Sequence, residues 1–308
     1  MFPSAAIMVL LAILLCGPTG AAQAQERVVW AVGDGGDGTP DARALAASIA
    51  ADEPHALLYL GDVYPNGSAQ DFAERFGTVY GGLRGITWPT PGNHDWGNRA
   101  RGYYPYWGRR LASRPWYRVR LGGWEVISLN SEVRHHRRSP QLLWLRRVLA
   151  QSKGTCRLAF WHRPRFSPGT VHGNDPEQAL LWNALRRRTR LVANAHDHVM
   201  VRYQRRDGIT QYISGAGGDT LYGTRPDPRV AFARAGIQGA LRMILSRGRA
   251  SLEFRSITGE VLDRSSARCR PLKAVAPSSL AERRPLPTRA YAGLRHRARG
   301  FDPGVGRG

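Results

Sequence analysis

Residues 56–64 read Ala-Leu-Leu-Tyr-Leu-Gly-Asp-Val-Tyr: five apolar positions, a Gly-Asp step, then Val63 and Tyr64. A short apolar run without alternation marks a strand buried on both faces, the kind found in parallel sheets covered by helices. Gly61-Asp62 then sets a carboxylate at the carboxyl end of that strand. The pattern repeats along the chain. Val28–Val32 runs into Gly33-Asp34-Gly35-Gly36, and Thr87–Thr90 leads to Gly92-Asn93-His94-Asp95. Arg157–Trp161 ends at His162-Arg163-Pro164, and Leu191–Asn194 ends at Ala195-His196-Asp197-His198. Five strand ends therefore offer carboxylate, carboxamide and imidazole ligands. That mixture suits Fe, Mn or Zn better than Ca or Mg, which prefer all-oxygen shells. Two such ions sharing a carboxylate activate water and clamp an in-line displacement at phosphorus.

Around these strands the chain alternates helix and strand. Thr39-Pro40-Asp41 reads as a helix start, with Thr39 as N-cap and Pro40 at the first position. Ser139-Pro140-Gln141 starts a second helix with Leu142, Leu145, Val148 and Leu149 on one face, and Asp175-Pro176-Glu177 a third. Tyr117–Leu121 and Trp124–Leu129 read as a hairpin across Gly122-Gly123. The segments 211–214, 240–245, 251–257 and 261–263 read as closing antiparallel strands. Alternation in the first half argues for parallel pairing with right-handed crossovers. The expected fold is α/β: a mixed two-sheet β-sandwich flanked by helices, with ligand-bearing loops at the carboxyl ends of strands.

In this order the five blocks resemble the metallophosphoesterase superfamily, the calcineurin-like phosphoesterases. The opening GDGG, the GD followed by Tyr, the GNHD, the apolar strand ending in His and the closing H-x-H are similar to the purple acid phosphatase branch. Leu60–Gly67, Gly123–Asn130 and Phe160–Phe166 resemble its exported bacterial relatives, and the resemblance covers about residues 28–268. It implies the four-layer αββα form of the sandwich and hydrolysis of phosphate monoesters by metal-hydroxide attack on phosphorus. The ion pair is expected to be Fe with Fe, Mn or Zn. The implied metal ligands are Asp34, Asp62 as the bridge, Tyr64, Asn93, His162, His196 and His198. His94 is the catalytic candidate, placed to donate a proton to the leaving oxygen or to stabilise charge on phosphorus, and Asp95 either orients it or serves a turn. His172, in the loop after the fourth block, is the implied contact to substrate phosphate, and Arg163 and Arg165 are placed to grip a phosphate oxygen as well. Two positions depart from the family pattern. Tyr64 follows Asp62 with one residue between rather than two, and a one-residue slip on extended backbone turns a side chain to the other face. Ala195 stands where the family has Gly, which implies a different turn.

Rival readings are weaker. Gly33 to Gly38 matches G-x-G-x-x-G after a strand, yet Asp34 and Asp37 would repel a dinucleotide pyrophosphate. The net charge of +22, nearly all Arg with Lys only at 153 and 273, permits attraction to nucleic acid or another anionic surface. A phosphodiesterase and a non-enzymatic polyanion-binding envelope protein are therefore the alternatives. His135-His136-Arg137-Arg138 reads as a solvated loop. Tyr103, Tyr104, Tyr106 and Trp107 read as packing near the mouth of the site.

The ends of the chain read differently from the middle. Residues 1–24 carry a short apolar run and an Ala22-Gln23-Ala24 cleavage pattern, so a signal peptide is expected, with a domain over 25–269 and a secreted or periplasmic location. No transmembrane span is expected in the mature chain. Residues 270–308 hold +7 of the charge and few apolar residues, the composition of a disordered tail. Removing the signal leaves Cys156 and Cys269, which could form a disulfide or stay as two buried thiols.

Overall fold

The computed structural model describes residues 26–108 and 115–274. The expected signal peptide lies outside them, as does the expected tail from residue 275 onward.

The strands are β1 (Arg27–Val32), β2 (Ala56–Tyr59), β3 (Thr87–Pro89), β4 (Tyr117–Leu121), β5 (Trp124–Ser128), β6 (Ser152–Lys153), β7 (Arg157–Phe160), β8 (Leu191–Asn194), β9 (Met200–Tyr203), β10 (Thr210–Ser214), β11 (Val230–Arg234), β12 (Gly239–Ser246), β13 (Arg249–Ser256), β14 (Val261–Arg268) and β15 (Lys273–Ala274). One sheet runs β14-β13-β12-β1-β2-β3 and the other β11-β9-β10-β8-β7-β5-β4. In the first, β1, β2 and β3 are parallel, while β1 pairs antiparallel with β12. In the second, β5, β7, β8 and β10 are parallel and β4 and β9 flank them antiparallel. The fold is thus mixed α/β, with two mixed sheets flanked by helices.

Strand alternation builds the layers, because successive side chains leave opposite faces. Val29, Ala31 and Leu58 join Val126, Leu158, Phe160 and Met243 in a core between the sheets. Trp30, Val32, Leu57 and Tyr59 point the other way, onto Leu45 and Ile49 of helix Pro40–Ala51 and onto Phe72, Phe76 and Tyr80. On the outer face of the second sheet, Ile127, Ala159 and Val192 pack against Leu142, Leu145 and Leu149 of helix Pro140–Ala150 and Leu181 of helix Ala179–Leu185. The expected helix starts hold: Thr39 Oγ1 accepts from Ala42 N at 3.2 Å, and the Asp175 side chain caps a 3-10 turn that leads into Ala179–Leu185.

Three features differ from the sequence reading. A helical run covers residues 69–86; Phe72 and Phe76 there form an aromatic cluster with Tyr103 and Trp107, so the aromatic residues of helix Tyr103–Trp107 serve the core. His135 is turned inward and half-buried, unlike the exposed 136–138. Order continues past residue 269, where the Arg270 carbonyl accepts from Thr155 N and Cys156 N and Lys273 pairs with Lys153. Cys156 and Cys269 are joined as a disulfide 113 residues apart in sequence. Among the described residues no helix is long and apolar enough to cross a membrane.

Candidate metal centre

All five blocks meet at one end of the sandwich, because the parallel strands of both sheets present their carboxyl ends there. Asp34, Asp62 and Asn93 follow β1, β2 and β3; His162, His196 and His198 follow β7 and β8. Asp34, Asp62 and His196 hold left-handed backbone angles, φ +56°, +68° and +71°. Non-glycine residues rarely adopt that region, and it clusters at functional sites. The turn at Ala195 is solved one residue later than expected, since His196 rather than Ala195 takes the positive φ. The approach is close enough to need glycine nearby. A Cβ on Gly92 would lie 1.9 Å from Asp62 Oδ1.

The atoms converge in two groups. In one, His162 Nε2 lies 3.1 Å from Asn93 Oδ1, 3.1 Å from His196 Nδ1 and 3.2 Å from Asp62 Oδ2. Asp62, His162 and His196 form a buried set of three ligand atoms within 4.8 Å of one another. In the other, Tyr64 Oη lies 3.3 Å from Asp34 Oδ1 and 3.1 Å from His198 Nε2, and His198 Nε2 is 3.7 Å from Asp34 Oδ1. Tyr64 therefore reaches the site despite the shortened spacing. The reading from extended backbone does not apply, because the chain turns at Asp62 and Tyr64 N donates to the Gly36 carbonyl at 2.9 Å.

Carbonyls fix two of the imidazoles. His162 Nδ1 donates to the Leu60 carbonyl at 2.9 Å and His198 Nδ1 to the Thr220 carbonyl at 2.6 Å, so each turns Nε2 inward, the orientation by which ligating histidines are held. The donor set fits cations. One proton on His162 Nε2 can serve only one of its three acceptors, whereas a metal ion serves all of them.

Electrostatics agree. Burial opposes charge on His162, but Asp62 and Asp34 outweigh it and raise the imidazole to about 10. Burial lifts the Asp34 carboxyl to about 6 against the pull of His198 and His162. Burial also opposes charge on Asp62, yet His162 and His94 hold it below the usual carboxylate range. Burial and the neighbouring cations keep His196 neutral, far below the ordinary imidazole value. Burial and the charges of Asp34 and Asp62 keep Tyr64 a phenol, far above its ordinary value. The two carboxylates thus favour positive charge at His162, and ligand sets of this kind release protons when metal binds.

The remaining candidates ring the mouth. His94 Nδ1 donates to the Pro65 carbonyl at 2.6 Å, which leaves Nε2 facing Asp62 Oδ2 at 4.0 Å. Asp95 does not orient the His94 ring. Its carboxylate accepts from Asp62 N, Val63 N and Gly92 N at 2.8–2.9 Å and so ties the second block to the third. His172 lies outside the cluster, stacked on His196 with ring centroids 3.9 Å apart. Arg163 is held by Glu132 at 3.0 Å and sets NH1 3.0 Å from His196 Nε2. Two further residues, not singled out in the sequence, shape the site. Tyr222 stacks on His198. Asp197, buried and turned away from the cluster, accepts from Ser167 Oγ, His172 N at 3.2 Å and Gly173 N at 3.0 Å, and so pins the 167–173 loop.

Three comparisons bear on this geometry. A family model described as calcineurin-like phosphoesterase matches residues 27–200. No curated protein matches the chain in sequence. Among solved structures, the chain is similar to GAP50, the anchor in the inner membrane complex of Plasmodium, at 15% identity and TM-score 0.63, with 81% of this chain and 90% of that chain covered. It is similar to the purple acid phosphatase PPD1 from yellow lupin (Lupinus luteus) seeds at 13% identity and TM-score 0.63, with 80% and 54% covered. It is also similar to a dimetal phosphatase from Danio rerio at 13% identity and TM-score 0.54, with 79% and 98% covered. At these identities the structural likeness speaks for the fold.

Proposed function

The chain belongs to the calcineurin-like phosphoesterase family, whose members act as metal-dependent phosphoester hydrolases, and from that premise we propose that it is a binuclear-metal phosphatase acting on phosphate monoesters. The observation that carries the reading is the convergence of Asn93 Oδ1, His196 Nδ1 and Asp62 Oδ2 on His162 Nε2 within 3.2 Å. Asn93, His162 and His196 would hold one ion, Asp34, His198 and Tyr64 the other, and Asp62 would bridge them. The Tyr64 ligand favours iron at the first position, with Fe, Mn or Zn at the second. When bound, such a pair lowers the pKa of water and neutralises charge developing at phosphorus.

The chain's own groups do the rest. Arg163, anchored on Glu132, offers guanidinium N–H groups to a phosphate oxygen. His172 offers its ring from the pinned loop beside His196. His94, with Nδ1 bound to the Pro65 carbonyl, presents Nε2 toward the leaving oxygen as the proposed proton donor. Asn93 adds an oxygen ligand without negative charge, which keeps the site electrophilic. The paired Cys156 and Cys269 favour an oxidising compartment, consistent with a secreted or periplasmic enzyme.

The test is bound-metal analysis of the purified chain together with turnover of a chromogenic phosphomonoester and a phosphodiester, with Asp62→Asn as control. About two transition-metal ions per chain and monoester turnover lost in the variant are the expected result. Faster diester turnover would replace the substrate assignment. No metal and no turnover after reconstitution with Fe, Mn and Zn would overturn the enzyme reading.

A further inference from the structure

A second concave surface lies at the opposite pole of the second sheet from the metal ligands. Thr155 stands just before β7, Arg190 just before β8 and Gly208 just before β10, all at the amino ends of parallel strands. A four-residue strand rises about 13 Å, so these positions are separated from the metal centre by the length of the sheet. Two clefts meet there. One, of 430 Å³, is lined by five arginines, among them Arg190, Arg205 and Arg268. The other, of 810 Å³, adds Lys153, Arg188 and Lys273. Arg187 and Arg270 belong to both. Among the described residues no carboxylate and no aromatic ring lines either one.

The fold crowds like charges here. Lys153 sits directly opposite Lys273 in the β6–β15 pairing, and Arg268 opposite Arg249 in β14–β13. Directly opposed like charges destabilise a strand pair. Burial, and then the charge of Arg205, hold the Arg190 guanidinium below its ordinary value, and the buried Arg190 Nε has no partner among the described residues. Asp207, next to Gly208, is taken by Arg186 at 2.8 Å, and Glu125 by Arg157, a residue of the second cleft, at 2.7 Å. Arg270 is fixed in place, with its N–H donating to Thr155 Oγ1 at 3.0 Å beside the Cys156–Cys269 disulfide.

We propose that the joined clefts bind a chain of linked phosphate groups, of the inorganic polyphosphate class, at a site separate from the metal centre. Guanidinium forks match paired phosphate oxygens. Two clefts sharing Arg187 and Arg270 suit an extended polyanion rather than one small ion. The lack of aromatic rings removes the stacking platform on which single-stranded nucleic acid is bound, and the concave form does not suit a flat lipid surface.

The full chain is titrated calorimetrically with long-chain inorganic polyphosphate at several salt concentrations. Saturable binding that weakens with salt is expected. Arg187→Glu/Arg205→Glu/Arg270→Glu is expected to weaken it at least about tenfold, by the usual strength of charge-assisted contacts, with ester hydrolysis and melting temperature retained. Arg205→Glu alone, at an exposed position, gives the same reading in smaller measure should the triple variant fail to fold. The matched control Arg43→Glu/Arg120→Glu/Arg234→Glu reverses equal charge elsewhere and is expected to leave affinity within about threefold. Equal loss in both triple variants, or no binding, overturns the site. Orthophosphate bound as tightly as the polymer overturns the chain-like ligand, and a single-stranded oligonucleotide bound as tightly overturns the ligand class.

Discussion

The ring of Tyr222 lies flat on the imidazole of His198, with centroids 4.1 Å apart and planes 10° from parallel. Because Thr220 holds Nδ1 of the same imidazole, the stack fixes the only remaining freedom, rotation of the ring out of the plane that aims Nε2 at Asp34. An aromatic contact of this kind contributes about 1 kcal/mol beyond buried area. Tyr222→Ala is therefore expected to weaken metal binding roughly fivefold, and Tyr222→Phe to leave it unchanged, as read by metal titration of the apo protein.

His94 stands on the exposed rim, its side chain 38% accessible, and contributes no atom to the buried ligand set. His94→Ala is expected to lower kcat at least about tenfold, the lower end of acid–base effects, with bound metal unchanged. An unaltered kcat in steady-state assays would remove it from the mechanism.

Asp197 is fully buried and answers three donors of the 167–173 loop. Asp197→Ala leaves them unmet, a loss of about 1–3 kcal/mol. Urea unfolding is expected to show that loss, and the KM for a phosphomonoester is expected to rise as His172 leaves its stack on His196.

The Cys156–Cys269 bond closes a long loop and ties the start of β7 to the end of β14. Cys156→Ser/Cys269→Ser is expected to cost about 2–5 kcal/mol. Denaturant unfolding measures it, and a reducing agent is expected to act the same way on the parent chain and to leave the variant unaffected.

Asp52 receives Trp30 Nε1–H at 2.8 Å and Arg242 Nε–H at 2.7 Å, joining the end of the first helix to β1 and β12. Burial alone would raise its carboxyl, but these donors hold it below the ordinary value. A depressed folded-state pKa gives stability that is present above the unfolded pKa and is lost as pH falls through the folded one. Asp52→Asn is expected to lower stability at neutral pH and to flatten its fall on acidification below the usual carboxylate range, as followed by circular dichroism.

The residues that converge in the candidate metal centre were legible in the sequence because each follows a buried strand, where an apolar run makes a polar stop conspicuous. The one-residue shift at Tyr64 does not carry its side chain away from the other candidate ligands, because the rule of alternating faces holds for extended chain and Asp62 at φ +68° is not extended. The helical run over 69–86 was hidden by Gly77, Gly81 and Gly82, although Phe72, Phe76 and Tyr80 recur every four residues on its buried side. β11 leaves no apolar stripe to read, because none of its five residues is fully buried. Asp197 and Tyr222 could not be assigned from spacing, since their work lies in contacts across 24 or more positions.

The candidate ligands are shared between the two sheets, Asp34, Asp62 and Asn93 on one and His162, His196 and His198 on the other. Neither sheet by itself can finish the site, and a slip of one past the other by a single residue, about 3.3 Å, would part the ligand atoms. Ions held by the proposed set would act as rivets: binding only the assembled form, they would draw the folding equilibrium toward it.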